Sequence, residues 1–588
     1  MSDENRPGRR QPPDGGQAGR NGAAPPDAVL HPVDSHTLRR AGILWFVMIA
    51  AFVYLLVRIL ILQTGGYEKY QNKVLSQLTT ESSVTAERGR IYDTNRTVLA
   101  TNVTTYRVFI SPRTIREYSE EDGTRYDEII ANGLSGLLDT TYENVMKQTT
   151  YTRYLDRTIA RQVDEQTAAQ VEEFIDKYRL NNMVFLQAGS KRYYPHGTLA
   201  CHVLGFTTSD GGGAYGLELQ YDSLLSGTSG RYITARDSHG NEMPYEYQSY
   251  IRASDGHSIV TTLDVYVQSV LEEQLSTAYI ESGGQSRACG IVIDVETGGI
   301  LGMATYPSFD LNDPRTLNAD SQSKLNASGY AAGTEAYLKL KQELQLTTWA
   351  NKSITEAYMP GSTFKIVTAS MAYEENLVSA GETFYCPGYF KVGGRPIHCH
   401  KIAGHGSLTF AQGLQQSCNP ILMMMGLRIG QERFYNYFRS FGYLEKTGVD
   451  LPGEGVSIFY KPENFKEIDL ATASFGQNFK ITPLQQIMAV TTVASGGYLL
   501  TPHLLKEELD SNGNVVKSYE TNVRRQVIST DTATQLAKIL EEGVSGNGGA
   551  KNAYVAGYRV AGKTGTSEKT EMKDENDPTG KDVEVVAS

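Results

Sequence analysis

RACGIVIDVETGGILGMATY, from Arg287 to Tyr306, decides the fold class. Two runs rich in apolar and β-branched residues flank Glu296-Thr297-Gly298-Gly299, a pattern that predicts an antiparallel hairpin. Just upstream, HSIVTTLDVYVQSVLEEQLSTAYI (His257–Ile280) reads as a short strand followed by a helix, and long helical stretches come after the hairpin. A second strand-like run, GYRVAGKTGTS (Gly557–Ser567), lies near the end. Strands at both ends with helices between predict an α+β domain over 255–588, its sheet closed by distant segments.

Before that domain, residues 64–254 read as a mixed α/β region. RGRIYDTNRTVLATN (Arg88–Asn102) has strand-turn-strand character, and DEQTAAQVEEFIDKY (Asp164–Tyr178) has the 3.6 periodicity of an amphipathic helix. Gly211, Gly212 and Gly213 mark a turn. No cluster of catalytic residue types appears here, which favours a spacer or interaction module.

The first residues bear on location. Residues 1–37 are rich in Pro, Gly, Asn, Asp and Arg and are expected to be disordered, with too little apolar surface to offset the entropy of ordering. AGILWFVMIAAFVYLLVRILILQ (Ala41–Gln63) then gives a single membrane-spanning helix, assigned to 38–63. Arg58, its one charge, can snorkel to an interface. A cleaved signal peptide is the rival reading, disfavoured by the length of the run and by the lack of a small-residue cleavage site after it. Six arginines (Arg6, Arg9, Arg10, Arg20, Arg39, Arg40) precede the span, against Lys69 and Lys73 just after it, so the positive-inside rule predicts a cytoplasmic N-terminus and an extracytoplasmic remainder.

With 588 residues, 40% of them hydrophobic, the chain can bury more than one core. Its net charge of −11 offers no basic footprint and argues against nucleic acid as a partner. Five cysteines in such a length are no disulfide scaffold.

Three short motifs carry the chemistry: Ser362-Thr363-Phe364-Lys365, Ser417-Cys418-Asn419 and Lys563-Thr564-Gly565. Bare pattern is weak, because Ser321-Gln322-Ser323-Lys324, Ser545-Gly546-Asn547 and Lys446-Thr447-Gly448 match the same three patterns. Context separates them. Ser362 follows Met359-Pro360-Gly361 and precedes Phe364, Ile366 and Val367, the layout of a helix that begins at the serine and sinks into a core. Ser362 and Lys365, at i and i+3, then share a face. The helix start favours an alkoxide, and burial lowers a lysine pKa toward that of a base. An ordinary helix cap is the bland alternative. Ser321 lies in the polar run NADSQSKLNASG, where desolvation of either member is not expected. Lys563 sits in a strand-like run with small neighbours, suited to pairing with an extended peptide. Lys446 precedes VDLPG, which reads as a surface loop. Ser417 and Asn419 lie between the helix-like SLTFAQGLQQ and ILMMMGLRIG, on a short buried connection able to relay a proton and orient a carbonyl.

S-x-x-K, S-x-N and K-T-G in this order resemble the signature of penicillin-binding proteins and serine β-lactamases. EAYMPGSTFK, GHGSLTFAQGLQQSCN and GYRVAGKTGTS resemble class B (monofunctional) penicillin-binding proteins. RGRIYDTNRTVLATN, YYPHGTLACHVLGF and GLELQYDSLLSG resemble that family's pedestal (dimerisation-type) domain, and TLDVYVQ with IVIDVETGGILGMATYPSFDLND resembles the start of its transpeptidase domain. The resemblance implies a penicillin-binding/β-lactamase-like domain with a central antiparallel sheet flanked by helices. It implies serine acyl transfer on peptidoglycan stem peptides ending in D-Ala-D-Ala, inhibition by β-lactams, no required cofactor, and a SEDS-type membrane polymerase as partner. Ser362 would be the nucleophile, Lys365 the base, Ser417 the proton relay and Asn419 the orienting group. Lys563 and Thr564, with Gly565 beside them, would recognise the terminal carboxylate, and the N–H groups of Ser362 and Thr566 would form the oxyanion hole. In the family, further strands and a helix follow K-T-G-T, so a chain stopping at Ser588 is expected to be truncated. The rivals are a membrane-bound β-lactamase or β-lactam sensor on the same fold, and a non-catalytic cell-wall scaffold.

Cys386, Cys399, His405 and Cys418 form a further group that the acyl-transfer mechanism does not require. Three thiols and an imidazole suit a tetrahedral zinc ion, and some elongation-type relatives resemble this chain in carrying a metal beside the same motif. A Cys399–Cys418 disulfide, plausible in an oxidising compartment, is the competing reading.

Overall fold

The computed structural model describes residues 35–64, 79–84, 86–235, 249–284, 286–546, 548–570 and 584–587. The tail expected to be disordered lies outside these as far as residue 34; helix α1 (Ser35–Thr64) begins three residues inside it. Within α1, Gly42–Ile61 has a mean hydropathy of 2.5 and no buried residue, long and apolar enough to cross a membrane.

Residues 82–232 and 249–588 form one compact unit. Strands β1 (Ile91–Tyr92) and β2 (Val98–Ile110) pair antiparallel, Ile91 opposite Ala100, around a turn in which the Asp93 carboxylate accepts from the N–H groups of Asn95 and Thr97. Strand β3 (Arg157–Val163) leads into helix α2 (Glu165–Tyr178), capped by Asp164 accepting from the Thr167 N–H at 2.9 Å. Its buried residues Ala168, Val171 and Ile175 recur at helical spacing and meet Val108 and Ile110 of β2 in one core. Strand β4 (Val184–Tyr193) lies along β2.

Beyond it come β5 (Ser258–Thr261), helix α3 (Val265–Glu281) and the hairpin β6 (Ala288–Ile293) and β7 (Ile300–Tyr306), antiparallel with Ile300 opposite Ile293 as the opening stretch requires. Helices α4 (Ala319–Ala327) and α5 (Glu335–Trp349) follow, then a 3₁₀ turn (Gly361–Phe364) that runs into helix α6 (Lys365–Glu374). Strands β8 (Thr383–Cys386), β9 (Tyr389–Val392), β10 (Arg395–His398) and β11 (Gly406–Thr409) make two small antiparallel pairs, β8 with β11 and β9 with β10. Helices α7 (Phe410–Gln415), α8 (Asn419–Ile429), α9 (Glu467–Ala473) and α10 (Pro483–Ala494) pack around α6. Strands β12 (Leu505–Leu509) and β13 (Val515–Ser518) return to the first sheet, whose order is β13-β12-β5-β1-β2-β3, with β4 also on β2. Strands from both sides of residue 255 therefore share one sheet. Helix α11 (Thr530–Ser545) completes the helical layer, and β14 (Ser567–Thr570) pairs with β15 (Glu584–Ala587).

Phe364 is the hub of the helical core. Buried completely, its ring lies 4.8–6.0 Å from those of Phe434, Phe438, Tyr443 and Phe479. That aromatic packing fixes the turn carrying Ser362 from beneath.

Four local expectations need correction. The strand expected over Gly557–Ser567 exists only from Ser567, the first residue with a ladder partner. Ser407-Leu408-Thr409 is strand rather than helix, because it pairs with β8, and helix begins after the Thr409 cap. Ser321 is buried, its hydroxyl 3.0 Å from that of Thr348 on α5, whereas Lys324 points outward to Asp320. The segment after Lys446 is anchored rather than superficial: Val449 and Leu451 are buried, and Asp450 accepts from the Leu504 and Leu505 N–H groups and from Tyr221.

Candidate active site

Proline at 360 and glycine at 361 let the chain turn sharply into the short 3₁₀ segment, so Ser362 sits at a helix entrance and Lys365 opens α6. The helix thus starts one turn earlier as 3₁₀ and becomes α only at the lysine. Lys365 has no exposed surface. Its Nζ donates to the Ser417 carbonyl (2.7 Å) and to Asn419 Oδ1 (2.6 Å), and lies 3.1 Å from Ser417 Oγ. Lys563 Nζ reaches the same hydroxyl at 2.9 Å and the Thr564 carbonyl at 2.9 Å. The three motifs, far apart in sequence, converge on Ser417 Oγ.

Local backbone explains how. Ser417 follows the α7 C-terminus with φ of +56°, a left-handed conformation that a non-glycine residue holds only under constraint. The Cys418 N–H donates to the Gly413 carbonyl, and Pro420 lies in the first turn of α8. Asn419 Nδ2 donates to the His398 carbonyl at 3.3 Å, so strand β10 orients the amide and leaves Oδ1 toward Lys365.

Among the described residues, no carboxylate bonds the Lys365 or Lys563 amine. Burial holds the Lys365 ammonium well below the usual lysine pKa, and the charge on Lys563 adds to this against smaller opposing effects of Cys399 and Cys418. Burial alone brings Lys563 down to about 8. Of Lys365's three polar neighbours, the Ser417 carbonyl and Asn419 Oδ1 can only accept. A neutral amine satisfies both with its two hydrogens and keeps a lone pair for a hydroxyl proton. The arrangement suits deprotonation of an alcohol at a helix entrance.

Gly565 and Thr566 lie directly against the Ser362 turn. A Cβ on Gly565 would fall 2.7 Å from Thr363 Cγ2, and one on Gly361 would fall 2.4 Å from the Thr566 carbonyl oxygen. Thr564 and Thr566 are exposed. Sequence reasoning did not reach the partner of Gly361: its N–H donates to the Gly476 carbonyl at 2.9 Å. Neither glycine lies at a position where periodicity carries a signal.

Beside Asn419, the ligand atoms of Cys386, Cys399, His405 and Cys418 all lie within 4.8 Å of one another. His405 Nδ1 is 3.7 Å from Cys386 Sγ and 3.6 Å from Cys399 Sγ. Cys399 and Cys418 are unbonded thiols, like Cys201, Cys289 and Cys386. A hydrogen bond between them favours the thiolate at Cys399 and the thiol at Cys418. His400, unanticipated, stands at the edge of this group with Nδ1 3.8 Å from Cys399 Sγ. The decoy motifs assemble nothing comparable: Thr447 is occupied by Glu454, and Ser545 by the Glu541 carbonyl.

Comparison with known proteins gives a consistent result. Residues 288–587 match the penicillin binding protein transpeptidase domain, and residues 83–261 the penicillin-binding protein dimerisation domain. The chain is 33% identical to the stage V sporulation protein D of Bacillus subtilis, over 82% of this chain and 69% of that protein. It is 26% identical to the peptidoglycan D,D-transpeptidase FtsI of Escherichia coli, over 90% of this chain and 81% of that one. Its fold is similar to the crystal structure of penicillin binding protein 2X from Streptococcus thermophilus, with a TM-score of 0.63 at 23% identity, covering 84% of this chain and 72% of that one.

Proposed function

The chain belongs to the penicillin-binding protein transpeptidase family and is a peptidoglycan D,D-transpeptidase, and on that premise we propose how its residues divide the work. Ser362 Oγ attacks the carbonyl carbon between the two terminal D-alanines of a stem peptide, and its proton passes to neutral Lys365. The negative charge that develops on the carbonyl oxygen is met by the N–H groups of Ser362 and Thr566. Collapse breaks the C–N bond; the departing D-alanine amine takes a proton through Ser417, leaving an ester on Ser362. An amine from a neighbouring strand then attacks that ester and restores the serine. Asn419 orients the substrate, and Lys563 with Thr564 holds its terminal carboxylate, Gly565 allowing the close approach. A β-lactam enters by the same attack and remains bound as an acyl-enzyme. The observation that supports this reading best is the meeting of the Lys365 and Lys563 amines at the Ser417 hydroxyl, with no carboxylate bonded to either amine among the described residues. Mass spectrometry of the penicillin adduct should find it on the peptide containing Ser362, and Ser362→Ala should abolish labelling; an adduct elsewhere defeats the assignment.

The same reading extends to location and partners. The pedestal is assigned to 64–254 and the transpeptidase domain to 255–588, with α1 as a single-pass anchor, the N-terminus cytoplasmic and the catalytic domain outside. Protease added to spheroplasts should then digest everything beyond about Gln63; a protected catalytic domain reverses the orientation. A SEDS-type polymerase in the membrane would supply the glycan strands.

A zinc ion held by Cys386, Cys399, His405 and Cys418 is a second component of the proposal. Zinc bonds of about 2.3 Å to sulfur and 2.0–2.1 Å to nitrogen require sulfur–nitrogen edges of about 3.5 Å in a tetrahedron. The two edges at His405 Nδ1, 3.7 and 3.6 Å, are close to that requirement, which favours metal over a two-sulfur bond. Such an ion would stiffen the segment carrying Ser417 and Asn419. Purified protein should contain one zinc per chain; its absence, with a Cys399–Cys418 crosslink found by peptide mapping, favours the disulfide instead.

A further inference from the structure

The turn bearing Ser362 is gripped by main chain from two directions. On one side lies Thr566, whose carbonyl oxygen would be 2.4 Å from a Cβ on Gly361; Gly361 has φ of +54°. On the other lies Gly476, which receives the Gly361 N–H. Gly476 has φ of +89°, and a Cβ there would sit 1.9 Å from the Gly361 carbonyl oxygen and 2.6 Å from its carbonyl carbon. The obstacle is backbone, so no side chain can swing away to make room. Gly476 belongs to the loop Ser474–Asn478 after α9. That loop is tied down in turn by Thr368, whose buried hydroxyl donates to the Ser474 carbonyl at 2.8 Å. Thr368 stands one turn beyond Lys365 on α6. The loop thus contacts both the nucleophile's turn and the helix of the base, yet lies outside all three motifs.

We propose that Gly476 is a positioning residue for acylation, the buttress that sets the Ser362 turn in register with Thr566. The inference rests on the roles assigned above to Ser362 and Thr566. Two N–H groups on separate segments must point at one oxygen, and a displacement of the turn by a fraction of an ångström removes one of them from hydrogen-bonding distance. Gly476→Ala forces such a displacement without touching substrate or any titrating group. The expected loss in the acylation rate constant is about 10²–10³-fold, the size seen when one oxyanion donor is removed, with non-covalent capture of the β-lactam little changed.

Stopped-flow acylation of the full chain by a fluorescent penicillin separates the two steps. Gly497→Ala is the matched control: Gly497 has φ of +101°, and a Cβ there would lie 2.0 Å from the Ile528 carbonyl oxygen, a comparable backbone collision in the same domain. Both variants should melt at lower temperature, but only Gly476→Ala should lose the chemical step. Thr368→Val, which loosens the loop without a collision, should slow that step about 3–10-fold, as one neutral hydrogen bond allows; it decides the matter if Gly476→Ala does not fold. The proposal is overturned if Gly476→Ala, or failing it Thr368→Val, acylates at the wild-type rate constant. It is equally overturned if the loss lies wholly in capture, or if Gly497→Ala loses as much. Adduct mapping on the wild-type chain tells the two failures apart, since labelling away from Ser362 refutes the assigned roles rather than the buttress.

Discussion

Two regions of this molecule bury a pair of cations, and they treat them in opposite ways. Beside the first sheet, Arg88 and Arg192 meet over Glu218, which has no exposed surface: Arg88 Nε donates to Oε2 and Arg192 Nε to Oε1, each at 2.7 Å. Arg88 also bonds Asp222 at 2.7 Å and the Glu218 carbonyl at 2.8 Å. Burial pulls the Arg88 pKa down, but Glu218 and Asp222 together outweigh it, so the charge is kept and held. In the catalytic cleft, Lys365 and Lys563 meet over a hydroxyl instead, and both pKa values fall. Fixed charge gives a clamp; charge that can be surrendered suits a base. What decides between them is the carboxylate beneath the pair.

Replacing one member of each pair should separate these roles most sharply. Lys365→Met should slow acylation about 10²–10⁴-fold, the range for loss of a general base, with melting temperature held or raised because no carboxylate is stranded. Arg88→Met should do the reverse. It takes from Glu218 and Asp222 a partner they both contact, and should cost about 3–5 kcal/mol of stability while the acylation rate constant of folded molecules stays unchanged. Denaturant unfolding and stopped-flow labelling read the two axes; a variant that moves both equally breaks the contrast.

Next in size is Asn419→Asp, which imports the arginine pair's solution into the cleft. A carboxylate 2.6 Å from Lys365 would favour its ammonium form. Acylation needs the neutral amine, whose fraction grows with pH, so the rising limb of the pH–rate profile should move upward by about 1–3 on the pH scale. An unmoved limb means that Lys365 is not the base. The falling limb tests Lys563. Its protonated fraction declines as pH passes about 8, so carboxylate-dependent acylation should decline there too. Lys563→Arg, always charged, should remove that limb. The smallest effect is expected for Ser321→Ala: labelling unchanged, and a loss of about 1 kcal/mol from the hydrogen bond to Thr348.

The residues of the cleft are legible in sequence because each motif is short and local, and its surroundings distinguish it from its decoy. Phe364, Ile366 and Val367 announce burial after Ser362, whereas Leu325 is the one large apolar residue in the polar run around Ser321. The hairpin at Arg287–Tyr306 and the helix ending at Tyr178 are legible for the same reason: alternation or helical spacing is complete within each segment. What escapes is whatever depends on a second, distant segment. Strand formation over Gly557–Thr566 needs a neighbour that local pattern cannot supply, and the burial of Ser321 depends on Thr348 in another helix. Asp450 reads as part of a loop until Leu504 and Leu505 arrive to donate to it. Gly476 is the extreme case, since a glycine has no side chain by which to signal its partner.

The first sheet also imposes an order in time. Strands β1 and β2 emerge early in synthesis and β5 follows to pair with β1, but β12, which pairs with β5, joins only after Leu505 has been made; the ion pair of Arg96 and Glu507 links residues separated by 411 positions. At about 5–20 residues per second, the ribosome takes roughly 20–80 s to cover that distance. From the time β5 is made until β12 arrives, the sheet ends at β5, an edge without its final neighbour and open to any other strand that comes near. The sheet that the earliest strands begin is therefore completed only by strands made far later in the sequence.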